Sequence, residues 1–217
     1  MGRGSFLLAI LLLSVAQPGS ATEIVNETFG FQVTVPDGFT PIDVADHNSR
    51  LHSFLDRPPT PNDPPTVITI ERLNGLVNPN DRLSPDAIPQ QPGVRMSLQE
   101  KTWQGITLDV MSSEFETENG LVIGYVIQFP LADEAVQLTV GGPPARRKDI
   151  KDQFDRVVDS FRNTKPLYTG QAASPGSRQG SEEPLPFPWT GVAVFGAMVF
   201  VLVAIVGKWI RALIKKA

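Results

Sequence analysis

Only two histidines occur in the chain, and they lie close together in Asp46-His47-Asn48-Ser49-Arg50-Leu51-His52. Imidazole and carboxylate suit borderline metals such as zinc, which makes Asp46, His47 and His52 one candidate ligand set. The two imidazoles are five positions apart, a spacing that fits neither one helix face nor one strand face. Two surface histidines account for the segment as well. Glu114, Glu116 and Glu118 form a second set, spaced by two so that one face of a strand carries all three. A hard cation such as calcium takes several carboxylate oxygens. Side chains on one strand face run parallel, however, and an exposed acidic tip that discourages edge pairing explains the same pattern. The expectation is no bound metal and no cofactor.

Arg146, Arg147 and Lys148 open a helical pattern, where the macrodipole disfavours positive charge. A local rule broken at a surface marks these three as a candidate patch for an acidic partner, although a solvated helix end costs little. Asn26-Glu27-Thr28 has the form of a glycosylation acceptor. The sequence contains no GxSxG, HExxH, P-loop or GxGxxG pattern. Gly141-Gly142-Pro143-Pro144 resembles a phosphate loop only superficially, because two prolines remove the backbone donors such a loop needs. With no cysteine in 217 residues, a thiolate zinc site, a cysteine nucleophile, a disulfide scaffold and a lipoprotein acylation site are all excluded. No catalytic residues are expected.

The elements that would position these residues are strands followed by one helix. Phe31–Val35 alternates apolar and polar and is turned by Pro36-Asp37-Gly38; Thr66–Glu71 is a second strand. Ile106–Val110 leads to Glu118, and Asn119-Gly120 then signals a tight hairpin into Leu121–Phe129. Both faces of that return strand are largely apolar, which predicts a central strand covered on both sides. Ala135–Val140 is a further strand. Pro143-Pro144 opens a helix on which Ile150, Phe154, Val157, Val158 and Phe161 form one apolar stripe. The class is α+β: an antiparallel sheet with a C-terminal amphipathic helix packed on it.

The two ends differ from this unit. Residues 1–21 read as a signal peptide: Arg3, an apolar run from Phe6 to Ala16, then Gly19-Ser20-Ala21 as the cleavage site. Residues 189–207 are 19 consecutive uncharged residues, roughly 28 Å of helix, enough to span the hydrocarbon core. The tail 208–217 carries Lys208, Arg211, Lys215 and Lys216 and no acid, which places it in the cytoplasm by the positive-inside rule. Residues 166–188, rich in proline, glycine and serine, form a linker. The domain between, 22–165, holds 13 Lys and Arg against 21 Asp and Glu, a net of -8, whereas the whole chain is at -4. Such a charge argues against nucleic acid as a partner. The expected protein is single-pass in a bacterial cell membrane, with its domain outside, and has a protein partner in the envelope. A metal or small-ligand domain, or an enzyme with an unrecognised site, is the alternative.

The order "FQVTVPDGF", "TVITIERL", "WQGITLDV", "GYVIQFPLADEAVQLTV" and "FDRVVDSFR" resembles the PsbP/DcrB-like domains. That resemblance implies an antiparallel sheet sandwiched between helices. It brings no catalytic set with it. Domains of this kind carry a helix before the "QG" strand. Here Leu83–Pro92 is limited by its prolines to about one turn, which leaves the cover of that sheet face open.

Overall fold

The computed structural model describes residues 21–42, 50–60, 63–73 and 75–167, apart from 76, 81, 85, 87, 89–91, 118, 119 and 133. The predicted signal peptide up to residue 20, the linker beyond Leu167, the membrane span and the basic tail lie outside the described residues. No helix among the described residues is long and apolar enough to cross a membrane.

In chain order the strands are β1 (Thr22–Asn26), β2 (Phe31–Val35), β3 (Thr40–Pro41), β4 (Arg50–Leu55), β5 (Val67–Leu73), β6 (Val94–Trp103), β7 (Ile106–Thr117), β8 (Gly120–Pro130) and β9 (Ala135–Gly142). The helix α1 (Arg147–Ser160) and the short β10 (Arg162–Asn163) follow. Seven strands form one antiparallel sheet in the order β3-β4-β5-β9-β8-β7-β6, and β1-β2-β10 form a second, small one. The expected strands are present, and so is the hairpin, with Thr117 paired to Gly120 across its tip. β8 is buried on both faces over most of its length, as its composition predicts, and β9 beside it is buried throughout. Strands β1, β3, β4, β6 and β10 are additional to the sequence reading. β6 carries a readable signal, since Val94, Met96 and Leu98 alternate with Arg95, Ser97 and Gln99.

The helix begins slightly later than Pro143-Pro144 suggests. Proline lacks a donor and fixes φ, and the chain first makes a 3₁₀ turn over Pro144–Arg146, closed by Arg146 N–H to Pro143 O at 3.0 Å. The apolar stripe then packs as expected: Ile150, Phe154, Val157, Val158 and Phe161 are all buried. They meet Ile68 and Ile70 of β5, Leu138 and Val140 of β9, and Ile127 and Phe129 of β8 in one core. Phe161 stacks on Phe129 at 3.9 Å and on Phe31 of the small sheet at 5.1 Å. Trp103 donates its indole N–H to Phe161 O at 2.8 Å, tying the end of β6 to the end of α1.

The helix sits close to the sheet because Gly142 has no side chain. A Cβ there would lie 3.1 Å from Ile150 Cδ1 and 3.2 Å from Thr66 Cα. On its other side α1 holds the small sheet, where Ser160 Oγ accepts from Thr34 N–H at 3.0 Å.

Candidate functional site: a polar band on the sheet face opposite the helix

Asp46, His47 and Glu118 lie outside the described residues. His52 is on β4 beside Ile70, its ring 6.5 Å from that of Phe54, and partial burial lowers its pKa. Among the described residues no group of three or more side chains is placed to hold a metal ion. Glu114 pairs with Arg147 at the start of α1, while Glu116 is exposed.

Each member of the basic triplet has an acid from the same domain. Arg146 pairs with Asp56, whose side chain is largely enclosed and which also pairs with Arg57 at 3.3 Å and accepts from Thr66 N–H at 2.8 Å. Arg147 pairs with Glu114, and this hydrogen bond raises its already high pKa further. Lys148 meets Asp152 one turn on at 2.7 Å. The hydrogen bond between them lowers the pKa of Asp152 and raises that of Lys148. Cations at a helix start are tolerated here because each faces a carboxylate, and two of the pairs tie the helix to the sheet and its loops.

A denser polar arrangement lies on the opposite face of the large sheet. Side chains alternate along a strand, so the core-facing Ile68, Ile70, Leu138 and Ile127 leave Thr69, Glu71, Gln137, Thr139 and Gln128 on the other side. Ser53 lies beside Thr69, and Thr69 beside Thr139, forming a row of three hydroxyls across β4, β5 and β9. In the next row Arg50 lies beside Glu71, Glu71 beside Gln137, and Gln137 beside Gln128. Gln128 Nε2 donates to Gln137 Oε1 at 3.1 Å, and Arg50 Nε donates to Glu71 Oε1 at 3.2 Å.

Arg50 and Ser53 are an odd number of residues apart, and in a regular strand they would point to opposite faces. A β-bulge supplies the correction: Arg50 opposes Glu71 and His52 opposes Ile70, with Leu51 between them as the extra residue. The bulge turns Arg50 onto the face that carries Ser53. Without it the guanidinium would enter the apolar core.

This face is enclosed. Ser53, Thr69, Glu71, Ser113, Gln137 and Thr139 are six of the seven buried polar residues among those described. Part of the cover comes from the proline-limited segment before β6, which the sequence reading left open. Leu83 N–H bonds Asp109 Oδ2 at 2.7 Å, Arg82 pairs with Asp109, and Ile88 is buried. The hydrogen bond to Asp109 raises the Arg82 pKa.

Burying polar groups is unfavourable unless they are paired; an unmet buried donor or acceptor costs about 1–3 kcal/mol. Glu71, Gln137 and Thr139 all have partners. Arg50 Nη1, Ser53 Oγ and Ser113 Oγ are enclosed and meet no hydrogen-bond partner among the described residues. Arg50 and Glu71 neutralise each other at 6% and 10% side-chain exposure. A further net charge brought into the band would cost several kcal/mol, more than one or two hydrogen bonds of about 0.5–1.5 kcal/mol would return. The band can therefore exchange hydrogen bonds with an uncharged group at little electrostatic cost.

No family model and no curated protein matches this chain. It is similar to the solved structure of LpqN, described as involved in cell envelope biogenesis of Mycobacterium tuberculosis. The identity is 18%, over 67% of this chain and 91% of that one, with a TM-score of 0.48. It is also similar to cyanobacterial PsbP (CyanoP) from Synechocystis sp. PCC 6803, at 13% identity over 69% and 95% of the two chains, with a TM-score of 0.45.

Proposed function

We propose that this protein is a membrane-anchored extracytoplasmic binding module, without catalytic activity of its own, that holds or stabilises a protein partner in the cell envelope. One observation carries the reading. The folded unit falls between a leader ending in a small-residue cleavage site and an apolar 19-residue segment followed by a tail of +4. The partner meets an acidic domain at net -8, so a basic or neutral protein surface is the complementary one.

Topology is tested with the full chain in a bacterial host. Protease added to spheroplasts should remove the domain and spare a reporter fused after Ala217, and alkaline extraction should leave the chain in the membrane. A protected domain, or release into the soluble fraction, would refute the anchoring. Crosslinking in intact cells followed by pull-down should recover one stoichiometric partner, and recovery of none in repeated trials counts against the binding role.

A further inference from the structure

We propose that β6, the long edge of the large sheet, pairs with β6 of a second copy of this chain to form a symmetric dimer. The occupant is a copy of the chain itself, so this goes beyond the partner reading and fails separately from it. Among the described residues β6 pairs with β7 alone. An edge strand offers a row of backbone N–H and C=O groups to any second strand, and proteins blunt such edges with short strands, prolines or bulges. The other three edge strands are short: β3 and β10 have two residues each, and β1 has five. β6 has ten, contains no proline, and runs against β7 in unbroken register from Val94 to Trp103. Arg95, Ser97, Gln99, Glu100 and Thr102 are exposed along its length.

The charges select the register. In a dimer whose two-fold axis stands perpendicular to the sheet, the two edges run antiparallel and each face continues across the join. Alternation then lets only residues of the same face oppose one another. With Leu98 on the axis, Val94 to Thr102 of each strand pair, and Arg95 falls opposite Lys101. Lys101 reaches over to α1, where Asp155 and Asp159 lie 3.4 and 2.8 Å from its ammonium. Asp155 is shared with Lys151, whereas Asp159 is 66% exposed and lies within reach of a second cation. Arg95 of the second copy supplies it. In its own domain Arg95 lies opposite Glu114, which Arg147 already holds. Symmetry makes the contact twice. An axis at Glu100 would set two carboxylates face to face, and one at Gln99 would put Arg95 beside the buried Trp103. A peptide from another protein is drawn less well, because the edge is locally balanced: Arg82, Arg95, Lys101 and Lys151 stand against Glu100, Asp109, Asp155 and Asp159. The net -8 of each domain is screened beyond about 8 Å at physiological salt.

The chain has no cysteine, so an introduced one reports a single position. Opposed residues of antiparallel strands have Cα atoms about 4.5–5.5 Å apart, inside the ~4.4–6.8 Å that a disulfide spans. Full-length Leu98→Cys, oxidised in bacterial membranes, should form a disulfide-linked dimer. Gln99→Cys should not, because its two copies are offset by two positions and lie roughly 8 Å apart. Adding Arg95→Glu to the Leu98→Cys chain should slow cross-linking roughly tenfold, since two attractive contacts become repulsive, and a further Asp159→Arg should restore it. Equal cross-linking of both cysteines would mark random collision and overturn the proposal, as would no cross-link at Leu98→Cys or no response to Arg95→Glu. A second measurement needs no cysteine. Sedimentation of the parent chain in detergent should show a dimer that the exposed Arg95→Glu change weakens; a monomeric parent, or a dimer indifferent to that change, rejects the edge pairing. Neither result touches the topology and pull-down tests of the partner reading.

Discussion

Arg50 and Glu71 are the residues at which a single substitution should matter most. Their pair is enclosed, so removing one partner leaves a charge with nothing to compensate it. Arg50→Gln should cost about 3–5 kcal/mol in chemical denaturation, and pairing it with Glu71→Gln should return a large part of that loss. The double-mutant cycle checks both statements. His52 gives a pH dependence of known sign. Burial disfavours its charged form in the folded protein and holds its pKa below the ordinary 6.5. Its contribution is fully present above pH 6.5 and is lost as the pH falls from there through the lowered folded value. Replacing His52 by Gln should flatten the stability profile below neutrality, which thermal melts between pH 7 and pH 5 would show. Little of this was readable beforehand. The sequence drew attention to His52 as a ligand, whereas its neighbour Arg50 carries the denser chemistry. Nothing in the one-dimensional order marks a residue that a bulge will turn away from the core onto the polar face.

The helix and the two-strand hairpin were legible because their information is local: a stripe at 3.6-residue period, and Asn-Gly between two β-type runs. The polar band was not, because Ser53, Thr69, Gln128, Gln137 and Thr139 meet only through the register of four strands. Read singly, Thr69 and Glu71 look like the solvent side of an alternating strand. They are buried because another part of the chain lies over them. The approach of α1 to the sheet gives a prediction for this level. Gly142→Ala would force its Cβ against Ile150 and the backbone at Thr66, and should cost about 1–3 kcal/mol in urea unfolding. The charged start of α1 should divide unevenly. Arg147→Gln breaks a half-exposed pair and should cost under about 1 kcal/mol. Arg146→Gln takes one of two guanidinium partners from the largely enclosed Asp56 side chain, leaving it Arg57 at 3.3 Å and the Thr66 N–H, and should cost somewhat more than Arg147→Gln, as the same unfolding curves would reveal.

As a whole, the domain is graded from a buried centre to thin margins. β9 is enclosed on both faces and flanked by long strands, while β1 pairs with β2 alone and exposes Val25. Hydrogen exchange should therefore be slowest in β8 and β9 and fastest in β1, and uniform protection across both sheets would contradict that ordering. The bulge in β4 has a consequence for changes in chain length. Its extra residue sits between Arg50 and Ser53, and dropping one residue from that interval would straighten the strand while keeping Arg50 opposite Glu71. The same deletion between Thr69 and Glu71 on the facing strand would turn the carboxylate toward the helix. A one-residue deletion at Leu51 should thus keep the same two residues in register, a tolerance that the regular strands beside it lack.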